Sequence, residues 1–431
     1  LIASIAAAEP PTEPLPDTLT IDDCFRVARE RAPEVVITRL AWRAASADSI
    51  AAWRNRHPLL SLFGHVTVAP KGFYDPAITN LGDYELKAGV EWPLLDGGDR
   101  ARERARAANR SSLAAIDVAR ARLEAGLRAA ALAIDVLRLG DQERAQDEAL
   151  GWLDRLTSLL KAGARAGSRS VADALRVSLE RDTKRIDLET TRNDRSAAER
   201  ELAQLLGLGA APAPGIRAPS RGEEAPPATA DSVALFAALE AAPEVRSAIA
   251  NRADQRIALS ESQRKNALRV NASADAGLAG TDLTTTVPPD LEAENPGATF
   301  ADRLRRDLGA SGTVDFKKPI ADPTVGPTIT ARRRDLEASD LRVANETETQ
   351  RRIRRDLLAR WQAAARKLAI AEASADQAAD HVLKMRSLYN AGTSTLLELL
   401  DARRVLDETL DRRAEARAEN RAARFELEAR K

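Results

Sequence analysis

One cysteine, Cys24, among 431 residues excludes a disulfide framework and a cysteine-held zinc site. Three histidines, His57, His65 and His381, leave little for a histidine-rich metal centre. Neither sign of charge is in excess. The 65 basic and 65 acidic side chains cancel, which argues against a protein that binds nucleic acid by neutralising phosphates. No apolar run approaches the roughly 18 residues that a membrane-crossing helix needs. There is no Ser-His-Asp ordering with glycine support, no phosphate loop and no metal-ligand spacing, so neither an enzyme nor a cofactor is expected. Aromatics make up only 3% of the chain, whereas alanine, leucine, arginine and glutamate recur throughout, a composition of long helices.

Residues 1–16 open with Leu1–Ala8, small and apolar, and continue into prolines. They read as a signal remnant or a disordered segment. Beyond them the chain repeats itself. Ala32-Pro33-Glu34-Val35 returns as Ala242-Pro243-Glu244-Val245, 210 residues on. Trp92-Pro93-Leu94-Leu95-Asp96 matches Lys318-Pro319-Ile320-Ala321-Asp322 at an offset of 226, and the turn at Gly167 matches that at Gly392 at 225. Ordered matches at nearly constant offset indicate a duplication. The domains are then a first structural repeat at 17–208, a Pro/Gly/Ala-rich linker at 209–228, and a second repeat at 229–431. The larger later offset places an insertion in the second repeat, with Thr281–Phe300 read as an extended loop.

Each repeat reads as helix, two strands, long helix, tight turn, long helix. Leading helices are expected to start at Ile21, running through Arg31–Val35, and at Asp231. Strands are expected at about Pro58–Val68 and Tyr84–Leu95, where apolar and polar residues alternate. A weaker pair follows at Val270–Leu278 and Thr313–Lys317. Gly98–Lys161 carries no proline, and its apolar residues step by three and four; Pro327–Leu388 is similar, and the return helices start at Ser170 and Thr395. Helices of this length must pack lengthwise as coiled coils, with alanine permitting close approach and paired Arg and Glu on the wet faces.

These residues carry a resemblance. Trp92–Gly98 resembles the Pro-Leu-Phe-Asp-Gly-Gly strand-to-helix junction of the TolC-type outer-membrane efflux proteins, Tyr389–Ala402 resembles that family's second hairpin tip, and Leu19–Val35 its first block. The resemblance runs in order along nearly the whole chain. It implies a mainly α fold with a β-barrel part. Long coiled-coil hairpins would form a periplasmic α-barrel, and four strands per chain would join a trimeric 12-stranded outer-membrane β-barrel. The implied function is a passive exit duct in the outer membrane of a Gram-negative bacterium, reaching into the periplasm. Its implied partners are two further copies of the chain, outer-membrane lipid, a periplasmic adaptor and an inner-membrane pump, with no nucleic acid. A type I protein-secretion duct and a metal-ion efflux duct stay open, and a periplasmic coiled-coil adaptor or scaffold is the rival reading.

The resemblance also assigns residues. Trp92, Pro93, Asp96, Gly97, Gly98, Lys318 and Pro319 form the strand–helix junctions. The prolines are expected to end the strand ladder, and the glycine pair, absent from the second copy, to let the backbone swivel. Trp92 and Lys318 suit the headgroup level. Gly167, Ser168, Arg169 and Ser170, with Gly392, Thr393, Ser394 and Thr395, form the hairpin tips and the expected adaptor-docking surface. Glu398 and Asp401 match an acidic ring that would favour cations and whose crowding should raise some pKa values. Tyr389 and Asp173 match a closing hydrogen bond between neighbouring hairpins. Ser394 stands where the family often has a basic tip residue, and Arg169 occupies the other tip instead.

Overall fold

The computed structural model describes residues 16, 18–55, 57–68, 82–209, 214–218, 239–280, 287 and 289–430. Residues 1–15 of the expected signal remnant at 1–16, the expected helix start at Asp231 and most of the linker lie outside the described residues. The chain runs β1 (Thr18–Leu19), α1 (Ile21–Arg31), α2 (Pro33–Arg54), β2 (Leu59–Val68), β3 (Gly82–Asp96), α3 (Asp99–Arg165) and α4 (Val171–Leu205). It continues with β4 (Gly215–Ile216), a single 3₁₀ turn (Leu239–Ala241), α5 (Pro243–Gln263), β5 (Arg269–Gly280), α6 (Pro289–Glu294) and α7 (Phe300–Arg306). It closes with β6 (Leu308–Lys317), α8 (Val325–Asn390) and α9 (Leu396–Glu428). The fold is mainly helical, with two long hairpins and four strands in its main sheet, as the sequence implies.

Two expected elements differ. The leading helix is broken: α1 ends at Arg31, Ala32 is extended (φ −56°, ψ 135°), and α2 begins at Pro33. Proline disfavours a helical residue before it yet suits the first helical position, so it divides the run. The insertion is not wholly a loop, since α6 and α7 fold within 289–306; residues 281–286 and 288 lie outside the described residues.

The described chain forms two compact units. One comprises Arg43–Ser112 with Ile249–Leu341 and holds the main sheet. Its order is β2-β3-β5-β6, every pair antiparallel, leaving β2 and β6 as the outer strands. The register aligns Leu60 with Val90, Val90 with Ala274 and Ala274 with Gly312. Side chains alternate faces along a strand, so Leu60, Leu62, Val66, Leu86, Val90, Trp92, Leu278, Val314 and Phe316 share one apolar face. The other face is polar and cross-linked between strands. Lys87 Nζ lies 3.8 Å from Asp275, Asn271 donates to Glu91 at 2.9 Å, and Ser311 donates to Asp275 at 2.6 Å. Leu59 and Phe63 are the apolar exceptions on that side.

The second unit comprises Leu1–Trp42, Leu113–Ala248 and Arg342–Lys431, and is helical. A capping box starts α1, with Asp23 N–H donating to Thr20 Oγ1 at 3.1 Å and Thr20 N–H donating back to Asp23. Beneath it, Cys24, Ala28 and Val35 pack on Ala125, Ala129, Ala133 and Leu202. Small residues bring these helices close. A Cβ added at Gly126 would lie 2.6 Å from the Phe25 ring. Burial among these apolar groups pushes the Cys24 thiol up to about 12, so it is an inert core residue rather than a nucleophile. The β1–β4 bridge, Leu19 to Ile216, ties part of the linker to this core.

Candidate functional site at the hairpin tips

Both tips reverse the chain by the same device. Gly167 (φ +73°) donates to Ala164 C=O at 3.1 Å, and Ser168 N–H donates to Gly163 C=O at 2.9 Å. Gly392 (φ +76°) donates to Tyr389 C=O at 3.1 Å, and Thr393 N–H to Leu388 C=O at 3.0 Å. These paired bonds define Schellman ends, which need a left-handed residue where glycine alone is unstrained. The Ser168 and Thr393 hydroxyls donate to the same two carbonyls. Each return helix is then capped. Ser170 Oγ accepts from Ala172 N–H at 3.1 Å, and Thr395 Oγ1 accepts from Glu398 N–H at 3.3 Å.

Glu398 completes that second cap. Its carboxylate accepts from Thr395 N–H at 2.8 Å and from the Ser394 hydroxyl at 2.7 Å. The Thr395 backbone bond first, then the Ser394 and Thr395 side chains, hold Glu398 below the usual carboxylate range. Within the chain this is opposite to the rise expected from crowded charges. Asp401, one turn on, is exposed and pairs with Arg404 at 3.1 Å. Asp173 sits half-exposed in the first turn of α4, where a carboxylate complements the helix dipole.

The two hairpins meet under these turns. Leu153, Leu160, Ala174 and Val177 from α3 and α4 pack on Tyr389, Leu396 and Leu399 from α8 and α9. Tyr389 is only 6% exposed. Within the chain its hydroxyl is engaged by Arg169 rather than by Asp173. Arg169 Nη1 donates to it at 3.2 Å, and the guanidinium lies 5.1 Å from the ring centre. Gly163 makes room, since a Cβ there would sit 2.6 Å from Arg169 Cγ. Deeper in the seam, Arg403 pairs with Asp407 at 3.0 Å and lies over the Trp152 ring, and Lys184 reaches Asp407 from α4 at 3.4 Å. Sequence reasoning missed Gly163, Lys184, Arg403 and Asp407. Only Gly163 left a trace, a helix-interior glycine that costs stability without a packing reason.

The junction residues gather at the opposite ends of the strands from the β5–β6 insertion. Asp96 accepts from Gly98 N–H at 2.9 Å and Arg100 N–H at 2.8 Å, so it caps α3 across Gly97 (φ +63°) and Gly98 (φ +87°). Pro93 does not end the ladder. Pairing with β5 shifts register between Pro93 and Leu95 and runs on to Asp96. A bulge accommodates the missing N–H where a regular ladder would not. Trp92 and Lys318 are both exposed, and Pro319 follows the end of β6. Without a glycine pair, the second junction uses Asp322, which accepts from Thr324 N–H at 2.9 Å and pairs with Lys265 at 2.9 Å. The Thr324 hydroxyl first, then Lys265, hold Asp322 down to about 2.

The sheet with one apolar face and the paired helical hairpins with capped tips both have counterparts among known proteins. Residues 25–208 match the family model described as outer membrane efflux protein. Solved structures extend the likeness. VceC from Vibrio cholerae shares 15% identity at a TM-score of 0.74, covering 95% of this chain and 95% of that one. CusC shares 13% at 0.79, covering 95% and 91%, and the Campylobacter jejuni channel CmeC 12% at 0.76, covering 95% and 85%. At these identities the likeness shows the fold. No curated protein matches the chain. The family likeness is carried by residues 25–208, and the likeness of fold extends over 95% of the chain.

Proposed function

We propose that three copies of this chain form a passive exit duct across the outer membrane and periplasm, closed at rest by contacts between its hairpin tips. The observation that carries this reading is the sheet: one continuous apolar face, one hydrogen-bonded polar face, and two outer strands, β2 and β6, that among the described residues have no partner on one side. An apolar outside with a polar inside suits a lipid-embedded barrel with a wet lumen. Open strand edges are not tolerated in lipid, and four strands are too few to enclose a pore. Strand direction alternates across the sheet, so β2 of one copy can pair antiparallel with β6 of the next. Three copies give the 12 strands that the family resemblance implies.

In this account 17–208 and 229–431 are two repeats of one unit joined by the linker. Asp401, with Glu398 behind it, supplies the acidic ring at the periplasmic entrance. The turns Gly167–Ser170 and Gly392–Thr395 dock a periplasmic adaptor that couples the duct to an inner-membrane pump. Arg169 and Tyr389 hold the two hairpins of one chain together, and Asp173 is left to face a neighbouring copy. A soluble scaffold would gain nothing from an apolar sheet face exposed along its whole length. Outer-membrane fractions run without heating should show trimers, and oxidised cysteine pairs between Leu62 of β2 and positions 310–314 of β6 should link copies. A soluble monomer with no such links would overturn the reading.

A further inference from the structure

At the far end of the sheet from the junctions, the β5–β6 insertion folds onto one face. Tyr84 lies near the start of β3 and is paired with Gly280. It shares its face with Leu86, Ala88, Val90 and Trp92, the apolar face. Gly280 leaves the space that Tyr84 fills, because a Cβ there would lie 2.6 Å from the phenol. Across that gap Tyr84 donates to Asp307 Oδ2 at 2.5 Å, and the Arg303 guanidinium lies 5.5 Å from the ring centre. Arg303 and Asp307 pair at 3.4 Å with side chains only 6% and 7% exposed. The helix α7, which carries Arg303 and ends beside Asp307, is therefore clamped to the apolar side of the sheet rather than to the polar side.

Resting on the membrane-barrel reading, we infer that α7 is a lipid-contacting collar at the outer rim, seated in the headgroup layer of the outer leaflet. Helical spacing puts Phe300 one turn from Arg303, on the sheet side of α7, yet its ring is 51% exposed. An apolar ring left open beside an apolar sheet face suits the acyl–headgroup boundary. Arg305 points to the opposite side, is 83% exposed and pairs loosely with Asp302 at 3.8 Å. Arg306 pairs with Asp290 at 2.7 Å. Away from the sheet, Arg305 and Asp302 thus give α7 both signs of charge, as a zone of phosphates and bound cations requires, while Phe300 supplies a ring on the sheet side. The continuity of α7 with the apolar band selects lipid as its partner. A lid over the pore would instead sit on the polar face.

The experiment uses the full chain in vesicles of phosphatidylethanolamine and phosphatidylglycerol. Buried Cys24 does not label, so single cysteines at Phe300, Arg305 and Val90 can each carry an environment-sensitive fluorophore. Val90, mid-band on the apolar face, should be quenched by deep spin-labelled lipid. Phe300 should be quenched by headgroup-level spin label and shielded from iodide, whereas Arg305 should remain open to iodide. Tyr84→Phe should at least double iodide quenching at Phe300 by loosening the clamp. Deep quenching at Val90 with only iodide quenching at Phe300 would overturn the collar and leave the barrel standing. No lipid quenching at Val90 would overturn the barrel reading itself.

Discussion

Replacing Tyr389 with Phe deletes one oxygen and leaves the ring in its buried place. The lost contact is a guanidinium–phenol hydrogen bond at 3.2 Å, with the ring still 5.1 Å from Arg169. Hydrogen bonds to charged groups contribute roughly 1.5–3 kcal/mol, and this one is long and reached from an exposed arginine, so about 1 kcal/mol is expected. Arg169→Ala removes in addition a cation–π contact of roughly 0.5–1 kcal/mol, for a total of about 1.5–2 kcal/mol. A change of 1 kcal/mol is about fivefold in an open-to-closed ratio. Three latches that open together would multiply to about 150-fold, whereas independent ones would each shift fivefold. Single-channel recording in planar bilayers reads this directly as time spent in high-conductance states. The expected order is Arg169→Ala above Tyr389→Phe above the parent, with the double variant no worse than Arg169→Ala. Equal leak in Tyr389→Phe and Arg169→Ala would show that stacking contributes nothing. Parent-like conductance in both would refute the latch.

Gly163→Ala should leak like Arg169→Ala although alanine favours the helix, because its methyl takes the place of Arg169 Cγ; a tighter channel would refute that steric argument. Asp401→Asn should reduce cation preference in bilayers without changing the melting temperature, while Thr395→Ala should cost about 1 kcal/mol of stability through the lost cap. A selectivity unchanged by Asp401→Asn would remove the acidic ring. Asp411 is pushed up by burial and by Asp407, Glu415 and Asp187, against the pull of Lys184. Its ionised form therefore opposes folding above its raised pKa, and the penalty fades as pH falls through that value. Asp411→Asn should raise the melting temperature at pH 8 and lose the gain at pH 4; an equal gain at both would exclude charge as the cause.

Much of the fold is written in local pattern. Period-two alternation in Leu60–Val68 and Tyr84–Trp92 fixes which face is apolar, and the proline-free run after Gly98 fixes a long helix. What escaped the pattern is set by partners distant in sequence. Arg169 finds Tyr389 across 220 residues, and no spacing rule announces it. The Lys184–Asp407 pair likewise exists only because α4 lies beside α9. Other features were present in the letters. Thr395-Leu396-Leu397-Glu398 places Glu398 three residues after Thr395, a capping-box spacing that marks Glu398 as a cap. Thr299 and Asp302 have the same spacing before α7, where prolines and glycines nearby suggested only a loop. Pro93 shows the converse: a residue barred from regular ladders was kept in the strand by a bulge.

On the proposed function, several copies close one barrel. Cryo-microscopy of the full chain in lipid nanodiscs, at a resolution that separates strands, tests it most directly. The expected image is a three-fold ring of 12 strands, with β2 of each copy paired antiparallel to β6 of the next and the apolar face toward lipid. An open four-stranded sheet, or a closed ring with the polar face outward, would contradict it.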